Sequence, residues 1–305
     1  MPETAIDIKG LNKSYGSLHA VQDLSLQLRP GEMMALVGPD GAGKTTLIRT
    51  LCGILAPDSG SISIFGHDLA TGLGEVKPII GYLSQKFSMY GDLSVDENIE
   101  YFAEIHGVRD YHRRREELLE FTRLKPFRSR LADRLSGGMK QKLALACTLV
   151  HTPRIIFLDE PTTGVDPVSR RDFWKILSSL LRSGLTILLT TPYMDEAERC
   201  SVVGMMDRGR LLALDPPGAI KARMPGGVIE LVCRDARATQ RALAGIPSVR
   251  EVQTFGDRLN IVVGDVERDW PAVRQGLAGN GVACENWREI SPSLENVFIS
   301  LMKVA

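Results

Sequence analysis

No segment of the chain approaches the roughly 18 consecutive apolar residues that a membrane-spanning helix requires, so the chain is not expected to cross a bilayer itself. Net charge is also missing. Thirty-seven Lys and Arg balance 37 Asp and Glu, which gives no electrostatic ground for binding nucleic acid or a strongly anionic surface. The five cysteines, Cys52, Cys147, Cys200, Cys233 and Cys284, contain no C-x-x-C pair and follow no secretory leader. A reduced, cytosolic setting is expected, with the thiols acting as small buried hydrophobes. There is no internal repeat and no low-complexity tract. The N-K-x-D guanine signature fails as well, because Asn12 and Lys13 are followed by Ser14 and Tyr15.

The 305 residues, 44% hydrophobic and 24% charged, have an ordinary globular composition and the length of about two domains. An apolar run at 33–37 (MMALV) leads into GPDGAGKTT, after which Leu47, Ile48 and Leu51 recur at helical spacing: strand, glycine loop, helix. Further strands are expected at 61–65 (SISIF), 81–84, 155–158 and 186–190, separated in several places by helical stretches, which argues for a mostly parallel α/β sheet. Between about 92 and 152 the pattern turns helical and polar, as in a helical subdomain inserted into the sheet domain. Turn residues at 215–218 (DPPG) and 224–227 (MPGG) place a boundary near 225, giving domains 1–224 and 225–305. The second reads as β-α-β-β-α-β, the order of a small ferredoxin-like α+β domain. A last helix is expected with Ser291 as N-cap, Pro292 at its first position, and Leu294, Val297, Phe298 and Leu301 on one stripe.

Gly38, Gly43, Lys44 and Thr45 satisfy G-x-x-x-x-G-K-[ST], a loop whose backbone N–H groups face phosphate oxygens and whose following helix adds its positive end. The loop as a whole comprises Gly38, Pro39, Asp40, Gly41, Ala42, Gly43, Lys44, Thr45 and Thr46. Lys44 is placed to reach the β and γ phosphates of a nucleotide, and the Thr45 hydroxyl to ligate Mg²⁺. In IIFLDEP, Asp159 and Glu160 stand just past an apolar strand, at the sheet edge where α/β folds bind ligands. Asp159 would hold Mg²⁺ and Glu160 would polarise the water that attacks the γ-phosphate. LSGGMK at 135–140 opens a helix at Ser136, Gly137 and Gly138. It is either a capped helix start or a second anion site.

Together, and in this order, these motifs resemble the nucleotide-binding subunits of ATP-binding cassette (ABC) transporters, over residues 4 to about 220. LSGGM is similar to the family signature LSGGQ. The resemblance implies a P-loop NTPase cassette carrying a helical subdomain, with ATP and Mg²⁺ as ligands. It further implies that two cassettes pair head to tail, the Ser136–Gly138 loop of one closing over ATP held by Lys44 of the other. Within the family pattern Tyr15 stacks on adenine, Gln85 senses Mg²⁺ and the attacking water, and Asp166 in TTGVD belongs to a dimer-contacting loop. Residues 226–305 and the stretch GYLSQKFSMYGDLSVDENIEYF resemble cassette proteins of bacterial exporters whose permease is a separate chain. The implied protein is an ATPase on the cytoplasmic face of the cell membrane, bound to an integral-membrane permease and to a second cassette, in a homodimer or a heterodimer. The alternatives are a regulatory cassette that binds ATP with little hydrolysis and a soluble ABC protein outside transport.

The chain departs from the family at TTPYMDEAE, where Pro192 replaces a histidine that contacts the γ-phosphate. Proline has no side-chain donor and no N–H, so hydrolysis is the step in question rather than binding. Asp40 stands where Asn is usual, and Met139 where Gln is usual. Between Arg109 and Lys142 eleven cationic residues face five acids. This is either a solvated helical face or a surface near phosphates and anionic headgroups.

Overall fold

The computed structural model describes residues 4–86, 89–233, 235–282 and 286–304. Cys284 and part of the stretch 81–102 lie outside the described residues. Two compact units divide between Leu214 and Asp215, before the DPPG turn, ten residues earlier than the boundary expected from sequence.

The first unit opens with β1 (Ile6–Tyr15), β2 (Leu18–Leu28), β3 (Met33–Val37), α1 (Lys44–Leu51), β4 (Ser59–Ile64), β5 (His67–Asp68), α2 (Leu73–Val76) and β6 (Ile80–Leu83). Helices α3 (Val95–Ile105), α4 (Tyr111–Phe121) and α5 (Gly137–Leu149) come next, and then β7 (Ile155–Asp159), α6 (Pro167–Arg182), β8 (Thr186–Thr191), α7 (Met194–Ala197), β9 (Val202–Asp207) and β10 (Arg210–Asp215). One sheet has the order β2-β1-β4-β5 and the other β10-β9-β3-β8-β7-β6. In the latter β6, β7, β8, β3 and β9 run parallel. β3, β7 and β8 are buried at every position, as strands covered on both faces must be. α1 packs against both sheets, and Leu47, Ile48 and Leu51 join Ile6, Leu24, Met34 and Phe157 in one core.

SISIF corrects the sequence reading. It is a strand, but β4 pairs antiparallel with β1 and takes no part in the parallel sheet. Only Ile62 and Ile64 of its alternating residues are buried, which is the pattern of a sheet with one covered face. α3, α4 and α5 lie between β6 and β7, and Ser94 starts α3 with a capping box shared with Glu97. At least six of the eleven cations at 109–142 stand within 4 Å of an acid. Arg128 meets Asp96 and Glu116 at 2.8 Å each, Arg113 and Arg114 meet Glu117, and Arg115 meets Glu100.

The second unit comprises α8 (Pro217–Lys221), β11 (Gly227–Val232), α9 (Ala236–Leu243), β12 (Val249–Phe255), β13 (Arg258–Val263), α10 (Val266–Gly279), β14 (Trp287–Ile290) and α11 (Leu294–Val304). Its sheet order is β12-β13-β11-β14, antiparallel throughout, which is the ferredoxin-like arrangement. Leu243, Trp270, Val273 and Leu277 of α9 and α10 cover Ile229, Leu231, Ile261 and Val263. The cap of α11 is Ser293, not Ser291. Its Oγ accepts from Asn296 N at 3.1 Å, so Pro292 lies outside the helix.

Candidate functional site

In the parallel sheet β8 lies between β3 and β7, with Val37 opposite Thr191 and Asp159 opposite Thr190. The carboxyl ends of three strands therefore deliver the glycine loop, the Asp159–Glu160 pair and Pro192 to one edge. At the start of α1 the backbone passes very close to β2. Gly43 has φ +97°, and a Cβ there would run into the Ala20 carbonyl, so only glycine fits between the loop and β2.

Lys44, with 4% of its side chain exposed, donates from Nζ to the carbonyls of Gly38 (2.7 Å) and Pro39 (3.0 Å) and stands 3.8 Å from Glu160 Oε1. Burial lowers its pKa from the ordinary lysine value, opposed by the carboxylates of Glu160, Asp40 and Asp159. Thr45 Oγ1 donates to Asp159 Oδ1 at 3.0 Å. Glu160 Oε2 accepts from Gln85 Nε2 (3.0 Å) and from Thr163 Oγ1 (3.2 Å). Glu160 also has φ +46°, a left-handed conformation that costs about 1 kcal/mol in a non-glycine residue and turns the carboxylate back over Lys44.

A cavity of 400 Å³ is lined by Tyr15, Leu18, Ala20, the loop from Asp40 to Thr46, Gln85 and Glu160. Tyr15 stands at its rim, 47% exposed, as a stacking surface for a base requires. Asp40 is exposed, which keeps its carboxylate in solvent. Mg²⁺ fits the donors present. Asp159 Oδ2 is buried with no hydrogen-bond partner, beside the Thr45 hydroxyl, and such oxygen ligands suit this cation. Gln85 directs its amide nitrogen to Glu160, so its amide oxygen takes no part in that bond.

Four sequence candidates lie elsewhere. Ser136, Gly137 and Gly138 do not line this cavity: Ser136 caps α5 by accepting from Met139 N at 3.4 Å, and Gly138 is pressed against Ser169 of α6, where a Cβ would collide. Asp166 caps α6, accepting from Val168 N (3.1 Å) and Ser169 N (2.9 Å). The described cysteines are buried and free. Burial pushes the Cys52 and Cys147 thiols up, and that of Cys200 up to about 12, so none of these three is a nucleophile.

Sequence reasoning missed the threonines around this edge. Thr190 and Thr191 close a fully buried strand, and that pair of polar residues is the signal that was there to find. Thr191 Oγ1 and Thr162 Oγ1 donate to the buried Glu196 at 2.7 and 2.6 Å, fixing the segment that carries Pro192.

Residues 21–163 match the sequence profile of the family described as ABC transporter. Daunorubicin resistance ATP-binding protein DrrA3 of Streptomyces coeruleorubidus is 36% identical over 305 residues, 99% of this chain and 96% of that one. The chain belongs to the ABC transporter ATP-binding family. Similar, too, is the probable multidrug ABC transporter ATP-binding protein YbhF of Escherichia coli K12, at 40% identity over 309 residues. That match takes in 99% of this chain but 53% of YbhF, so the cassette protein described here spans about half the length of that relative. Among solved structures, one described as the ATP binding subunit of an ABC transporter superposes with a TM-score of 0.66 at 30% identity, over 72% of this chain and 92% of that one. Among the described residues no helix is long and apolar enough to cross a membrane.

Proposed function

We propose that this cassette binds and hydrolyses ATP to power export through a separate integral-membrane permease, working at the inner face of the membrane as one of a pair of cassettes. The observation that carries the reading is the convergence of Lys44, Thr45, Glu160 and Gln85 on one cavity, with Asp159 buried behind it and hydrogen-bonded to Thr45. Lys44 and the loop N–H groups bind the β and γ phosphates, while Thr45, Asp159 and Gln85 hold Mg²⁺. When bound, the ion supplies charge neutralisation on the phosphates. Glu160 takes the proton of the attacking water, held in position by Gln85 and Thr163. Ser136 and Gly137 are exposed at the N-terminus of α5 and outside the cassette's own cavity, which favours their use on nucleotide held by a second cassette. The names of the relatives point to drug-type cargo, and nothing in the described residues selects a substrate. Co-purification of the tagged chain with a membrane protein of several spans, released or tightened by ATP, tests the partnership. A chain recovered only from the soluble fraction, with an ATPase rate no membrane extract changes, speaks against it.

Pro192 favours a second reading, a cassette that holds ATP but turns it over slowly. It follows Thr191 directly at the end of β8 and offers no donor. Thr191 Oγ1 accepts from Tyr193 N at 3.1 Å across it, so the backbone on either side is anchored and can carry another side chain. Pro192→His is expected to raise kcat about 10-fold or more with KM within about twofold, the pattern of a contact made in the transition state. Steady-state ATPase assays decide. A parent already turning over at about 1 s⁻¹ or faster, with no gain in the histidine variant, would mean that another group orients the water.

A further inference from the structure

We infer that Thr190 is a positioning residue for both carboxylates of the site, setting the metal-holding oxygen of Asp159 and the backbone of Glu160 through one hydroxyl. The inference rests on the ATPase reading above. The ladder between β7 and β8 ends at the Asp159–Thr190 pair. One residue further on, Glu160 has turned into its left-handed conformation, and the side chain of Thr190 takes over as acceptor: Glu160 N donates to Thr190 Oγ1 at 2.9 Å. The same oxygen carries its own proton to Asp159 Oδ1 at 2.8 Å. Thr190 is fully buried, so no water can replace either bond.

The consequence for Asp159 is an asymmetry between its two oxygens. Oδ1 accepts from two hydroxyls, Thr190 on one side and Thr45 on the other, while Oδ2 is left buried without a partner. Two donors on one oxygen fix the carboxylate plane, and the free oxygen is then the one available to a cation. The consequence for Glu160 is that a conformation disfavoured for a residue with a Cβ is held by a buried hydrogen bond, so that its carboxylate stays over Lys44 and against Gln85. A single hydroxyl thus ties the metal-holding group to the proton-accepting group. The other donor to Asp159 Oδ1, Thr45, belongs to the first turn of α1 and makes no bond to Glu160. Of the two donors, Thr190 is the one that belongs to a strand of the sheet.

Thr190→Val keeps the β-branched shape and removes the hydroxyl. In the full chain, binding of a fluorescent ATP analogue is titrated with Mg²⁺. The valine variant is expected to need about 10-fold more Mg²⁺ for half-saturation, within the range seen when a group supporting a metal ligand is removed. Its kcat is expected to fall about 10-fold or more with KM for ATP within about twofold. Thr190→Ser restores both within about threefold, and Thr190→Ala serves as the hydroxyl-free variant if valine does not fold. Parental Mg²⁺ dependence in the valine or alanine variant overturns the proposal. Equal losses in the serine and hydroxyl-free variants, with matching drops in Tm, also overturn it, because packing alone then accounts for Thr190. A parent chain that fails to bind Mg–ATP at all overturns the ATPase reading on which the inference rests. A parent that binds without hydrolysing leaves the Mg²⁺ titration to decide the role of Thr190.

Discussion

Glu160→Gln is expected to lower ATP turnover by about 10³-fold while nucleotide still binds, within the range that removal of a general base produces. Glutamine preserves the length and shape of the side chain, and its amide oxygen can still accept from Gln85 Nε2 and Thr163 Oγ1, which lie 3.0 and 3.2 Å from the native carboxylate. The negative charge that faces Lys44 Nζ at 3.8 Å is lost, and with it the proton acceptor. Neutralising Glu160 also removes one of the three carboxylates that oppose the burial of Lys44, and so removes one repulsion toward an incoming polyphosphate. Binding is therefore expected to hold or tighten. In the paired-cassette reading proposed above, hydrolysis reopens the closed pair, so ATP-bound dimers are expected to accumulate. Single-turnover assays read the chemical step, and size-exclusion chromatography with and without ATP reads the dimer. A variant that hydrolyses ATP at the parental rate would take Glu160 out of this role.

How far the site could be read in advance depended on what each residue does to the chain around it. The glycine loop was legible because its spacing is dictated by close backbone approach, and Gly43 against the Ala20 carbonyl is that constraint in three dimensions. β3, β7 and β8 were legible as continuous apolar runs, the mark of strands buried on both faces. β1 and β2 went unread, since strands with one wet face mix Asp7, Lys9 and Gln27 with their apolar residues. SISIF carried its correct assignment in its alternation, although it was placed in the wrong sheet. Ser293 displaced Ser291 as a helix cap because both are serines beside a proline, and only the Asn296 amide chooses between them. Thr190 was the hardest of all. In sequence it is one more β-branched residue at the end of a strand, and its function exists only through its partner in the neighbouring one.

Lys44→Ala is expected to weaken ATP binding by about 100-fold or more, equivalent to about 3 kcal/mol, as when one partner of a buried charge-assisted contact is truncated. Among the described residues lining the cavity Lys44 is the only cation, and it shares the site with Asp40 and Glu160 on the same wall and with Asp159 nearby. In the free protein its ammonium is already stripped of most water and is held by the Gly38 and Pro39 carbonyls at 2.7 and 3.0 Å. Much of its desolvation cost is thus met before nucleotide arrives, and the transfer of its hydrogen bonds from neutral carbonyls to anionic phosphate oxygens is a net gain. Alanine reverses the balance, because the loop N–H groups remain as donors but the carboxylates face the phosphates with no positive charge between them. The loss therefore exceeds that of one hydrogen bond, and it is expected to shrink as ionic strength rises and the repulsion is screened. Titration with a fluorescent ATP analogue at low and high salt measures both effects. Affinity within twofold of the parent would remove residues 38–46 from phosphate binding, while a large loss independent of salt would assign Lys44 to hydrogen bonding rather than to charge.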